Sequence, residues 1–168
     1  GATNNGNSTD CGIGANCTNS TNNGGTTNCG TFSNCTDATN NGGTANCGTL
    51  SNCSNSTNNG VTQNCGLGSN CTNATNNGLF VECGTLSNCK DSVNNGDMMI
   101  CGLISNCQST TNNGILLVCG IGSNCSGTTV QSGQIIICGI GANCSNINTL
   151  RCEAPIPTGY VNDVPIYY

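Results

Sequence analysis

The chain has 168 residues, enough for one ordinary domain or one short stack of repeats. Only 5% of it is charged, Lys90 and Arg151 are its two cations, and the formal net charge is −5. Such a chain lacks the cationic footprint that nucleic acid or an anionic membrane surface demands. No apolar run approaches the ~18 residues of a membrane helix, so no membrane insertion is expected.

In chain order, residues 1–10 read as the second half of a coil without its first half. From Cys11 a unit of about eighteen residues, C-G-x-x-S/A-N-C-x-x-x-T-N-N-G-x-x-x-x, repeats to about residue 150. Its leading cysteines fall at 11, 29, 47, 65, 83, 101, 119 and 138, each with a second cysteine six residues on. A fixed period of this size is the mark of a solenoid. Richness in Gly and Asn and poverty in helix formers make its coils β. The expected fold is an all-β β-solenoid of about eight coils over 11–150, followed by an extended tail, 151–168. Final coil and first half-coil complement each other, because the last coil loses T-N-N-G. Head-to-tail joining of such ends would build an open filament.

Asn-Gly recurs at 5–6, 23–24, 41–42, 59–60, 77–78, 95–96 and 113–114. Both residues tolerate positive φ, so each pair predicts a tight turn. Stacking at about 4.8 Å places equivalent residues above one another. The column Asn16, Asn34, Asn52, Asn70, Asn88, Asn106, Asn124 and Asn143 is expected to form an internal amide ladder.

Seventeen cysteines in a regular framework imply disulfides and an oxidising compartment, hence an extracellular or cell-surface location. Bonds within a coil and bonds along a column are both geometrically open. The within-coil rung is favoured because it repeats identically: Cys11 with Cys17, Cys29 with Cys35, Cys47 with Cys53, Cys65 with Cys71, Cys83 with Cys89, Cys101 with Cys107, Cys119 with Cys125, and Cys138 with Cys144. This leaves Cys152 over, as a free thiol or a candidate for a bond between chains. The chain has no histidine and no C-x-x-C, so no metal or cofactor is expected. The acidic residues Asp10, Asp37, Glu82, Asp91, Asp97, Glu153 and Asp163 are scattered, and nothing resembles a general acid–base pair. An enzyme is not expected.

The four residues before each leading cysteine vary systematically. They run from Gly-Thr-Thr-Asn (25–28) through Leu-Phe-Val-Glu (79–82) to Ile-Leu-Leu-Val (115–118) and Gln-Ile-Ile-Ile (134–137). If the cysteine points inward, strand alternation turns the residues one and three before it outward. One face then passes from Thr26, Asn28, Thr44, Asn46, Thr62 and Asn64 to Phe80, Met98, Ile100, Leu116, Val118, Ile135 and Ile137. An apolar face of that size needs a cover. The tail, with Ile156, Val161, Val164, Ile166, Tyr167 and Tyr168, offers one in two ways: on its own coils, or on a neighbouring copy by strand addition.

One C-x5-C pair per coil, abundant Thr, Ser, Asn and Gly, and scarce charge make residues 11–144 resemble the disulfide-rich β-solenoid antifreeze proteins of beetles. The period here is eighteen rather than twelve, and the second cysteine is flanked as Asn-Cys-Thr (16–18, 34–36, 70–72). The resemblance implies a secreted protein that binds ice through a flat threonine array, with one disulfide across each coil. The best threonine column is Thr3, Thr21, Thr39, Thr57, Thr75 and Thr111, interrupted by Val93. Two functions are therefore expected of the sequence. The first is a secreted structural protein whose partners are further copies of itself, assembled into a fibre or surface filament. The alternative is a monomer whose partner is an ice surface.

Overall fold

The computed structural model describes the backbone of residues 2–149, 159–161 and 164–166, and the side chains of 2–147. The described residues are all β, and the repeat folds as stacked coils. Each T-N pair makes a two-residue strand: β1 (Thr3–Asn4), β3 (Thr21–Asn22), β5 (Thr39–Asn40), β7 (Thr57–Asn58), β9 (Thr75–Asn76), β11 (Val93–Asn94), β13 (Thr111–Asn112), β15 (Thr129–Val130) and β17 (Asn148–Thr149). Each run into a leading cysteine makes a four-residue strand: β2 (Ser8–Cys11), β4 (Thr26–Cys29), β6 (Thr44–Cys47), β8 (Thr62–Cys65), β10 (Phe80–Cys83), β12 (Met98–Cys101), β14 (Leu116–Cys119) and β16 (Ile135–Cys138). The first set forms a nine-stranded parallel sheet and the second an eight-stranded one, each strand pairing with its equivalent one coil away. Single parallel bridges from Asn16 to Asn34 and onward to Asn143 join the coils along a third line.

Register is strict. Cys83 pairs with Cys65 and Cys101, and Phe80 with Thr62 and Met98. The backbone bonds hand off in alternate directions: Gly30 N–H donates to Cys11 O (2.7 Å), whereas Cys17 N–H donates forward to Asn34 O (2.7 Å). Apart from tight turns such as Ser33 N–H to Gly30 O (3.3 Å), a coil thus satisfies its amides largely through its neighbours, which is why the stack and not the single coil is the stable unit.

All eight within-coil disulfides are present, from Cys11–Cys17 to Cys138–Cys144, and the column alternative is not adopted. The bridges are the core. Sixteen half-cystines line the interior, with small residues beside them: Ser33 Oγ donates to Gly30 O (2.6 Å), and the same bond recurs from Ser51, Ser69, Ser87 and Ser105. The inward residue two before each leading cysteine changes along the rod from Thr27, Ala45 and Gln63 to Val81, Met99, Leu117 and Ile136. The interior therefore grows apolar toward the C-terminal end. In its polar half, Gln63 Oε1 is buried without a protein partner.

The Asn-Gly corners form for a reason other than the expected one. Positive φ occurs instead at two other corners, three and eight residues after the leading cysteine, at Phe32 (57°), Asp37 (57°), Leu50 (53°) and Asn55 (56°), for example. The corner glycines are required by proximity. A Cβ at Gly60 would lie 1.5 Å from Gly42 O in the coil below. The coils close on each other there too tightly for any side chain.

Two further expectations are corrected. The Asn16 column is not internal: Asn34, Asn52 and Asn70 are half-buried and Asn16 and Asn143 are exposed, because the inward cysteine that follows each one turns it outward. The internal ladder is Asn22, Asn40, Asn58, Asn76, Asn94 and Asn112, all buried. Each Nδ2 donates to the next Oδ1, at 3.2, 2.9, 2.8, 2.9 and 2.7 Å in order. Val130 ends this ladder. The spacing from Cys119 to Cys138 carries one extra residue, and Gln134 folds in to accept from Asn112 Nδ2 (3.3 Å) and donate to Asn112 O (2.9 Å). The final coil also keeps its second strand, since Asn148–Thr149 pairs with Thr129–Val130. The two sheets thus hold nine and eight strands, and the simple complementarity of half-coils does not hold.

In the tail, β18 (Gly159–Val161) and β19 (Val164–Ile166) form an antiparallel hairpin. The backbone of β19 approaches β16 to within 8 Å between Cα atoms. Val161, Val164 and Ile166 are placed here as backbone only. Cys152, Ile156, Tyr167 and Tyr168 lie outside the described residues.

Candidate binding faces

Three outward surfaces differ in chemistry, and each follows from which residues alternation turns out of the coil. On the eight-stranded sheet the outward positions are the first and third of each strand. Its first half is polar and laddered: Asn28 Nδ2 donates to Asp10 Oδ1 (2.6 Å), Asn46 to Asn28 (2.8 Å) and Asn64 to Asn46 (3.0 Å). The Asn28 amide and the Ser8 hydroxyl hold the Asp10 carboxyl below its ordinary pKa. From β10 onward the same two columns carry Phe80, Met98, Ile100, Leu116, Val118, Ile135 and Ile137, as alternation predicts, with Glu82 as the exception. All seven face outward; six are half-buried because column neighbours cover one another, and Ile135 is exposed. Beside them stand the exposed Leu79 and Ile115, the latter 69% accessible.

On the nine-stranded sheet, Thr3, Thr21, Thr39, Thr57, Thr75 and Thr111 form one outward column, with Val93 in the gap, and Thr129 extends it. Reading T-N-N-G as a turn hides a second column beside it. The first Asn points in and the second points out, so Asn5, Asn23, Asn41, Asn59, Asn77, Asn95 and Asn113 stand exposed one step from the threonines. Each Nδ2 donates back to the preceding Oδ1 at 2.7 to 2.8 Å, and Gln131 continues the line to Asn113 (3.2 Å). The face is a Thr-x-Asn array of uncharged donors and acceptors whose amides are already oriented.

The third surface is a ridge at the corner after each leading cysteine. It carries Ile13, Phe32, Leu50, Leu67, Leu86, Leu103, Ile104, Ile121 and Ile140, between 45% and 83% exposed. The sequence signal was a large apolar residue in one of the two x positions of C-G-x-x-S/A-N-C, in every coil.

Sulfurs of neighbouring coils approach one another, as in Cys11, Cys17 and Cys35 within 4.8 Å, but each is half of a disulfide and so is not a thiolate ligand. Of the charged side chains, Asp10 and Glu82 stand on the outward face of the eight-stranded sheet, whereas Lys90 sits at a corner against Asp91 (4.0 Å). No family model, no curated protein and no solved structure matches this chain.

Proposed function

We propose that this chain is an extracellular structural protein that associates with further copies of itself, through the apolar half of the eight-stranded sheet. The observation that carries the reading is that face: over β10, β12, β14 and β16, seven of the eight outward positions are apolar. The opposite chemistry, polar Thr and Asn, occupies the same columns in the first coils. The interior beneath this face grows apolar in step with it, but the outward side chains lie outside that core, and an outward apolar set of this size calls for a cover. The rigid, bridged, almost uncharged rod suits an assembly unit, and its eight disulfides form in an oxidising compartment. The edge of β16, which ends its sheet beside β19, offers a place for strand addition between copies.

The test is sedimentation of the oxidised protein over a range of concentrations, with electron microscopy of the same samples. Oligomers or filaments are expected. The pair Ile100→Asn with Leu116→Asn leaves the inward Met99 and Leu117 untouched and should preserve the fold. Each apolar side chain withdrawn from contact costs about 1.5–3 kcal/mol, so each substitution weakens association by roughly ten- to a hundred-fold. A monodisperse monomer for the unsubstituted chain at every concentration removes the proposal.

A second reading, ice binding of the beetle antifreeze kind, is favoured by one observation, the Thr-x-Asn array. Its hydroxyls and amides repeat at the ~4.8 Å rung spacing, and no charge interrupts them. Thr39→Tyr and Thr57→Tyr would break the flat array near its middle. Thermal hysteresis is expected in the unsubstituted protein and its abolition in the variants. An oxidised sample that neither shapes ice nor shows hysteresis ends this reading.

A further inference from the structure

The corner ridge has no folding role that accounts for its chemistry. Its side chains point into solvent, yet each of the eight coils supplies at least one. The backbone makes this more telling. The second corner position has positive φ in every coil, and glycine fills it in four: Gly14, Gly68, Gly122 and Gly141. There the apolar residue stands one place earlier. In the others Phe32, Leu50, Leu86 and Ile104 occupy the left-handed position themselves, Ile104 with a β-branched side chain at 52°. A bulky residue at such an angle is a true outlier, and strain of this kind is kept where something beyond the local fold requires it. The apolar character persists from coil to coil while the position that carries it shifts between the two places, and one coil, with Leu103 and Ile104, fills both.

We infer that the ridge is a lateral contact through which two copies of the rod lie side by side. The inference rests on the self-association reading and adds to it a second surface that runs the whole length of the stack. Size supports it: nine side chains of about 100 Å² each reach the ~800 Å² per partner of a standard stable interface. Chemistry supports it as well. The ridge presents no charged group, so an ionic partner finds nothing to pair with. Periodicity selects the occupant. Knobs at the rung spacing over eight coils are matched throughout only by a surface with the same repeat, and a second copy has one.

The deciding variant is Phe32→Asn, Leu50→Asn and Leu86→Asn together. Asparagine accepts the left-handed angle more readily than these residues do, so the fold and its eight bridges should survive, as mass and circular dichroism would verify. Sedimentation is expected to show association weakened by at least ~100-fold, and micrographs to show single rods in place of paired ones. The Ile100→Asn, Leu116→Asn variant is run in parallel. If that variant dissociates while the ridge variant assembles like the parent, the ridge inference is overturned and self-association stands. If the parent is monomeric throughout, both fall. Flotation of the parent, but not of the ridge variant, with uncharged phosphatidylcholine vesicles, in the absence of self-association, would assign the ridge to lipid and overturn the inference.

Discussion

Complete reduction of the eight disulfides is expected to unfold the stack at room temperature. Each bridge spans six residues, and in the chain-entropy account a loop that short contributes about 2 kcal/mol. Eight of them together contribute roughly 15–20 kcal/mol, which exceeds the ~5–15 kcal/mol net stability of an ordinary domain. Little else is available to compensate in the first coils, where the inward side chains are Thr27, Ala45 and Gln63. Coils that bury Met99 and Leu117 should hold longer. Hydrogen exchange along a titration with a phosphine reductant would read both effects. Protection should be lost first from β4, β6 and β8 and later from β12 and β14. A fully reduced chain that keeps its β signal and its melting temperature contradicts this account of the core.

The second large effect is expected from Asn76→Ala in the buried ladder. Asn76 Oδ1 accepts from Asn58 Nδ2 (2.8 Å) and from Gly78 N–H (3.3 Å), while its Nδ2 donates to Asn94 Oδ1 (2.9 Å) and Gly78 O (3.2 Å). The substitution strands Asn58 Nδ2 and the buried Gly78 N–H, while Asn94 Oδ1 keeps the Gly96 N–H (3.1 Å). At ~1–3 kcal/mol for each stranded group, the loss should be about 3–5 kcal/mol. Asn77→Ala, one residue on, removes ladder bonds of 2.7 Å on either side, but on the exposed face where water replaces them. Its cost should stay below ~1 kcal/mol. Guanidinium denaturation of the oxidised variants compares the two. Equal losses would mean that burial is not what gives the inner ladder its weight.

The scaffold was legible because its determinants are periodic and local. The cysteine spacing gave the coil length, favoured the within-coil bridge over the column bond, and set the inward phase of each four-residue strand, from which the outward apolar set followed. The same logic, carried from Cys17 back to Asn16, places that column outside. The amides there do stack, Asn70 Nδ2 donating to Asn52 Oδ1 (3.2 Å) and Asn106 to Asn88 (3.2 Å), but alternation puts that ladder on the outside of the coil and not within it. The true inner ladder was obscured because T-N-N-G reads as turn chemistry throughout. In the folded coil its first two residues are strand; the first Asn turns inward and its Oδ1 accepts from the corner glycine's N–H, and that glycine lies too close to the coil below for any side chain. That proximity is a contact between residues eighteen apart, and no local propensity reports it. The ridge escaped for a related reason. An apolar residue that shifts between two neighbouring positions breaks the column pattern in sequence, although both positions lie on one corner in space.

The interior gradient gives the rod a direction under load. Coils are held by their neighbours alone, so tension along the axis would strip them one at a time from the end with the weaker interior. Each coil that comes away surrenders only the residues outside its bridge, about twelve of eighteen, or roughly 40 Å of extended chain. The cysteine pairs thus set a ceiling on how far the thread can lengthen, and the resistance stiffens as the pull moves from the half filled by Thr and Gln into the half filled by Met, Leu and Ile.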